Sequence, residues 1–250
     1  MSRQVFIGID IATENVRAVA IDTQGNLYGS NSEKLAPVTG GSDKRLTQDP
    51  ASWIAAVNKV LKELATKCKA EGLTPKALCI SATSGTFVIT DIKGNPIADA
   101  AMYNDGRSSS IIGRAEKIIG EANQSGPYLF ATTPEFVIAH LAGVPLSEIA
   151  TDSSHSLKIG LDLASITWNQ PVLDQVQSLK LTLPRLVLPG KKLANISSEI
   201  SKQLGLDQIP IYAGMTDGCT AQISAGGSSG SVTSLGTTMV IKAVSKTNIK

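Results

Sequence analysis

The sequence predicts an α/β layered domain, and three observations carry that prediction. The chain opens with three short alternating runs, VFIGIDI, VRAVAID and NLYGS, separated by the polar turns TENV and TQGN, the pattern of an antiparallel meander. A strongly amphipathic helical segment comes next, and strands and helices then succeed one another, which suits a layered α/β domain rather than a sandwich or a bundle. The 250 residues are 42% hydrophobic and 18% charged, so there is enough apolar material for the core of one large domain or two small ones.

The elements follow in order. Residues 4 to 30 carry the meander, and Ser30 to Gln48, rich in Gly, Ser and Lys, reads as a loop. Asp49 can cap the first helix and Pro50 suits its first position; Trp53, Val57, Val60, Leu61 and Leu64 recur at helical spacing before Gly72 ends it. ALCISAT and TFVIT are two strands around a tight turn at Ser84 and Gly85, and IKGNPI is a turn before AMY. Arg107 to Glu121 is a second helix, with Ile111, Ile112, Ala115, Ile118 and Ile119 on one face. Thr133 and Pro134 start a third through FVIAHL, closed by Gly143. Residues 151 to 190 are loop-rich, with LPRLVLPG an extended link, and Ile196 to Leu206 is a weaker amphipathic helix. Ile209 to Ala213 is a buried strand leading into GMTDG, which opens the helix CTAQISAG, and SVTSLGTTMVIKAVS is a strand, a Gly-Thr turn and a strand.

Composition excludes several function classes. Lys and Arg number 23 against 21 Asp and Glu, and a net charge of +2 without a basic cluster offers nucleic acid no electrostatic footing. Apolar stretches are interrupted within about ten residues, short of the roughly 20 a spanning helix needs, and the start MSRQVFIGID lacks a signal-segment pattern, so no membrane partner is expected. Cys68, Cys79 and Cys219 show no CxxC spacing, and a reducing, cytoplasmic setting is the expectation. Of the two histidines, His140 reads as a packed or surface residue and His155 as a loop residue; neither has a partner at triad or metal-ligand spacing. Catalysis must therefore come from carboxylates, hydroxyls, backbone amides or a bound metal.

Two carboxylates stand out. Asp10 closes the first strand, where it either bonds to the following turn or holds a magnesium ion directly or through water. Asp217 sits where a helix starts: it either caps that helix or meets a phosphoryl group in the favourable field of a helix amino terminus, with Gly214 and Gly218 letting a ligand approach. Ser84 and Thr86 either hydrogen-bond a polyol or shape their turn, while Asn104, Asp105 and Arg107 read as a turn with an Asp-Arg pair. Tyr103 and Trp53 read as core residues. IGIDIATENVRAVAID and VTSLGTTMVIKAVS echo each other, both placing small hydroxyl residues in a turn between apolar strands, where amides and hydroxyls can hold phosphate oxygens.

Taken together, five ordered segments resemble the FGGY carbohydrate kinases. IGIDIATENVRAVAID resembles that family's first phosphate-binding hairpin and LTQDPASWIAAV its following helix. SATSGTFVITDIKGNPIADAAMYNDGR resembles its sugar-site strand, turn and WNDxR segment, IPIYAGMTDGCTAQISAGG its catalytic Asp-Gly helix start, and VTSLGTTMVIKAV its second phosphate hairpin. The TSGT, GMTDG and SLGTTMVIK elements look closest to the pentulose branch, with its ribulokinase-like and xylulokinase-like members. Ala12 stands where the family usually has Gly, and Tyr103 where it has Trp; a connector element after residue 126 is shorter than usual.

The resemblance implies a ribonuclease H-like fold of the actin and hexokinase type with a mixed sheet, residues 1–228 forming the sugar-binding domain and 229–250 the first hairpin of an incomplete nucleotide-binding domain. It implies ATP and Mg²⁺ as cofactors and a small sugar, D-ribulose slightly ahead of D-xylulose, as acceptor. Asp217 would be the general base and, with Asp10 and Ser84, a sugar-binding residue; Asp10 would also place the metal. Thr13, Gly236 and Thr237 would face the phosphates. On this expectation the 250 residues alone have little kinase activity. The alternative is a non-catalytic sugar-binding or interaction protein derived from a kinase lobe; the oligomeric state is left open.

Overall fold

The opening meander forms as its alternation requires. In the computed structural model, which describes residues 3–122, 124–226, 230–235 and 239–244, β1 (Arg3–Ile11), β2 (Asn15–Ile21) and β3 (Leu27–Lys34) pair antiparallel in sequence order. Val5, Ile7, Ile9 and Ile11 of β1 point into the core. The intervening positions, Gly8 and Asp10 among them, face the other side. Ser30 to Gln48 is more ordered than expected: β3 runs on to Lys34, and β4 (Thr39–Gly40) and β5 (Leu46–Gln48) pair with each other. Charged and polar side chains on an edge strand conceal its periodicity.

Helix α1 (Ala51–Ala70) lays Trp53, Val57, Val60, Leu61 and Leu64 onto the apolar face of the meander. The Asp49 carboxylate accepts the Ala51 N–H at 2.9 Å, and Gly72, at φ +65°, turns the chain into β6. Strand β6 (Leu73–Ala82) lies parallel to β1, so the chain has crossed over through α1.

After the Ser84-Gly85 turn the chain enters a second sheet, with β7 (Phe87–Asp91), β8 (Ala100–Ala101) and, beyond α2 (Ile111–Glu121), β9 (Tyr128–Thr132). The TSGT turn therefore joins two sheets rather than closing a hairpin. Every residue of β9 is buried because one face meets the α1 core and the other packs with Phe87, Ile112 and Ile118. Helix α2 starts at Ile111, where the Ser110 hydroxyl accepts the Gly113 N–H at 3.0 Å; Arg107, upstream, is clamped to Asp105.

Helix α3 (Thr133–Ala142) starts at Thr133 and Pro134 and ends at Gly143, φ +64°, as the sequence predicts, and the structure adds a capping box of Thr132 and Glu135 at its start. The loop-rich stretch after it holds a 3₁₀ turn (Leu146–Glu148), β10 (Thr151–Asp152), α4 (Ser153–Ser156), β11 (Leu161–Asp162), β12 (Thr167–Trp168), α5 (Gln170–Ser178), β13 (Leu181–Thr182) and β14 (Leu186–Val187). The α5 start was readable, since Asn169 accepts the Val172 N–H at 3.1 Å and Pro171 occupies the first turn. Only Val172 and Val176 of α5 are buried, too thin a stripe to stand out by periodicity.

Strand β15 (Lys192–Asn195), helix α6 (Ser198–Leu204) and β16 (Pro210–Thr216) complete the first sheet, in the order β15-β16-β6-β1-β2-β3. Helix α7 (Asp217–Ser224) leaves β16 without an intervening loop, and β17 (Ser231–Leu235) pairs antiparallel with β18 (Met239–Ala243). Among the described residues no helix is long and apolar enough to cross a membrane.

Candidate functional site

Strands β1, β6 and β16 are neighbours and run parallel, so their carboxyl ends meet at one edge of the first sheet. That edge is where open α/β sheets bind ligands, because side chains and loops from several strands converge there. Asp10 is the penultimate residue of β1, Ser84 lies just past the end of β6, and Asp217 follows the last residue of β16. The register confirms the juxtaposition: Asp10 is level with Ser81, and Ala82 with Thr216.

Asp10 points away from the α1 core into a cleft of about 700 Å³ whose walls include Gly8, Arg17, Ser81, Gly214 and Thr220. The Arg17 guanidinium lies 3.3 Å from its carboxylate. Burial raises the Asp10 carboxyl above its usual value, Arg17 opposes that, and the charge of Asp217 adds to it, so the two carboxylates sense each other. Asp217 is exposed at the first position of α7, and its side chain accepts the Gly218 N–H at 2.6 Å. Thr216, not Asp217, is the residue at the helix cap position. Thr220, one turn on, is 3.3 Å from the Ser81 hydroxyl and pins α7 to β6.

Gly214 serves packing rather than ligand approach. A Cβ there would run into the Ile80 carbonyl of β6, so glycine is what lets β16 close on its neighbour. Gly85 holds φ +94° in the turn that follows Ser84. The Ser84 carbonyl accepts from Lys158 at 3.3 Å, while its half-buried hydroxyl makes no hydrogen bond among the described residues. The Thr86 hydroxyl is already used, accepting the Tyr103 N–H at 3.1 Å.

Thr13 sits in the β1–β2 turn, in a separate cleft of about 520 Å³ with Asn104. Its carbonyl is held by Gln48 Nε2 at 2.9 Å, and Gln48 Oε1 in turn accepts from Trp53 Nε1 at 2.8 Å, so α1 braces that turn. Gly236 and Thr237 lie outside the described residues. Lys242 on β18 donates to the Gly218 carbonyl, bringing a cation beside Asp217.

Asp105 and Arg107 form a buried, bidentate pair, as the sequence suggests, with side chains 0% and 5% exposed. Two expectations about burial fail. Tyr103 is 45% exposed rather than core, because the Asp105–Arg107 clamp and the Thr86 bond fix its backbone on the rim. His155 is no loop residue: it is fully buried in α4 against Asp152. Its short helix has no periodicity, and the only advance signal was Asp152 three residues earlier, an N-cap residue.

Oxygen donors on strand and helix ends suit a hard cation. Among the described residues no three His, Cys, Asp or Glu side chains cluster as a cage.

Residues 5–125 match the model of the FGGY family of carbohydrate kinases, N-terminal domain. That stretch, just under half of the chain, is similar to the FGGY carbohydrate kinases. Over 252 aligned residues the chain is 26% identical to a xylulose kinase of Staphylococcus epidermidis, a match covering 90% of the chain and 50% of that protein. It spans about half the length of the curated relatives it matches. Its fold is that of the xylulose kinase structure from Rhodospirillum rubrum, with a TM-score of 0.81 at 18% identity over 94% of this chain and 54% of that one. A gluconate kinase structure from Lactobacillus acidophilus is similar at TM-score 0.79 and 21% identity, covering 96% of this chain and 54% of that one.

Proposed function

We propose that the chain forms the sugar-binding side of an ATP-dependent kinase that phosphorylates a pentulose, D-xylulose or D-ribulose, at its terminal hydroxyl. The supporting observation is the convergence of Asp10, Ser84 and Asp217 on one carboxyl edge of a parallel strand trio. In this reading Asp217 accepts the proton of the attacking hydroxyl, Asp10 contacts the sugar and provides the carboxylate for Mg²⁺, and the unspent Ser84 hydroxyl binds a sugar hydroxyl. Mg²⁺, when bound, neutralises charge on the phosphates. Thr13, Gly236 and Thr237 approach the phosphates, with residues 229–250 the first hairpin of a nucleotide-binding domain and residues 1–228 the sugar-binding domain. Little covalent chemistry falls to the protein, so holding the reacting groups in line carries the rate.

The curated relatives described above are xylulose kinases, which makes D-xylulose the first acceptor to try ahead of D-ribulose. The same fold in a gluconate kinase leaves the acceptor to the site rather than the fold. The test is a panel of D-xylulose, D-ribulose, glycerol and gluconate with Mg·ATP, following ADP release by the longest natural polypeptide containing this chain. Preference for a pentulose supports the reading; preference for glycerol or gluconate, or no turnover with any sugar, overturns it.

A further inference from the structure

His155 is one of only two histidines in the chain, and its ring is 0% exposed. Its Nδ1 meets the Asp152 carboxylate and its Nε2 lies 3.3 Å from the Ala82 carbonyl. With Asp152 ionised both neighbours are acceptors, and only a ring carrying two protons then satisfies both. Asp152 goes further: its Oδ1 accepts the Ser154 hydroxyl at 2.5 Å and the Ser154 N–H at 2.8 Å. The Ser154 hydroxyl oxygen then accepts the Thr216 N–H at 2.9 Å. Ala82 ends β6 two residues before Ser84, and Thr216 ends β16 immediately before Asp217. One buried unit thus grips the roots of both the Ser84 turn and the Asp217 helix start.

We propose that His155, as a buried imidazolium acting through Asp152 and Ser154, is a positioning residue that sets Asp217 against the Ser84 turn. The proposal rests on the kinase reading, in which those two residues contact the same sugar.

Charge and chemistry around the ring agree. Burial pushes the His155 imidazolium down, but the Asp152 carboxylate, joined by the charge of Glu135 on α3, more than offsets it and the net direction is upward. Asp152 moves the opposite way, held below the usual carboxylate range against its own burial by His155 and Ser154. Glu135 is raised by burial and pulled back by His155, its carboxylate accepting from Thr132 N at 2.7 Å. Among the described residues, the Cys79 thiol of β6, itself raised by burial and the charge of Asp152, is the remaining titratable neighbour of the pair. A neutral, shape-matched side chain at position 155 would leave Asp152 without its counter-charge and one of the two roots untied.

The experiment compares His155→Asn and Ser154→Ala with Val176→Ala, a core truncation in the second sheet's cluster, in the longest natural polypeptide containing the chain. Melting temperature, kcat and KM are measured for D-xylulose and ATP. The expected result is a kcat lower by about tenfold or more in the two network variants, since a displacement of about 1 Å costs up to about a hundredfold. KM for ATP should stay within about twofold, and Val176→Ala should keep its kcat despite an equal or larger loss of melting temperature. A folded His155→Asn protein with wild-type kcat overturns the proposal. If the wild type phosphorylates no sugar, the kinase reading has failed, and the network is read instead by ring ¹⁵N NMR on this chain, with His140→Asn to assign the two rings. A doubly protonated His155 at pH 7, with the Thr216 and Gly218 amides shifted in Ser154→Ala, supports the buried link; a singly protonated ring overturns it.

Discussion

Arg17 on β2 holds Asp10 on β1 through a single contact, Nη1 to Oδ2 at 3.3 Å, across directly paired positions of the two strands. The two side chains are 57% and 37% exposed, so the pair contributes no more than about 1 kcal/mol to stability. Its larger effect is on the carboxylate itself.

Burial raises the Asp10 carboxyl above 3.8, Arg17 pulls it back and Asp217 adds to the rise. Arg17→Met should therefore raise it further, and Asp217→Asn should lower it, both read from the Asp10 carboxyl ¹³C shift against pH. A group raised on folding contributes stability below its unfolded value near 3.8, and that contribution is lost as pH rises through the folded value. Arg17→Met should accordingly lose more stability at neutral pH than at pH 3. Unchanged titration in both variants would show that the three charges are uncoupled.

Asp217→Asn should lower kcat by at least the roughly 10² to 10⁴ that removing a general base costs, with sugar affinity largely retained. The charge that Asp217 carries at the start of α7 also interacts favourably with the helix, so melting should be followed in parallel. Near-normal turnover in a folded variant would leave Asp217 with only its helix-start role.

Ser84→Ala should weaken pentulose binding by roughly 0.5 to 1.5 kcal/mol, the net value of one neutral hydrogen bond. The fold should tolerate it, since the Ser84 hydroxyl has no partner within the described residues and the turn depends on Gly85 at φ +94°. Calorimetry on the chain with D-xylulose and D-ribulose decides; equal affinity in wild type and variant removes Ser84 from the sugar site.

Gly214→Ala should destabilise the protein by about 1 to 3 kcal/mol or more, because its Cβ has no room against the Ile80 backbone and the β6–β16 spacing must open. Denaturant unfolding measures this directly. A variant as stable as wild type would mean that the two strands separate at no cost.

The contrast between the two histidine-bearing segments shows how far a sequence can be read. Thr133, Pro134 and Gly143 mark the helix of His140 at both ends, because start and stop signals are local and act within four residues. The meander, α1 and the start of α7 were legible for the same reason: alternation, helical spacing and turn residues all act over a few positions. Five ordered segments carried the resemblance to the FGGY carbohydrate kinases and nominated Asp10, Ser84 and Asp217 as site residues. The sequence could not show that Ser84 and Asp217 hang from one buried imidazolium, or that Gly214 exists for Ile80. Those relations depend on which strands lie side by side, and β1, β6 and β16 are brought together only by crossovers through α1 and through the second sheet. Local propensity decided what each segment became; the apolar faces of α1 and the meander, seeking cover, decided which ends met.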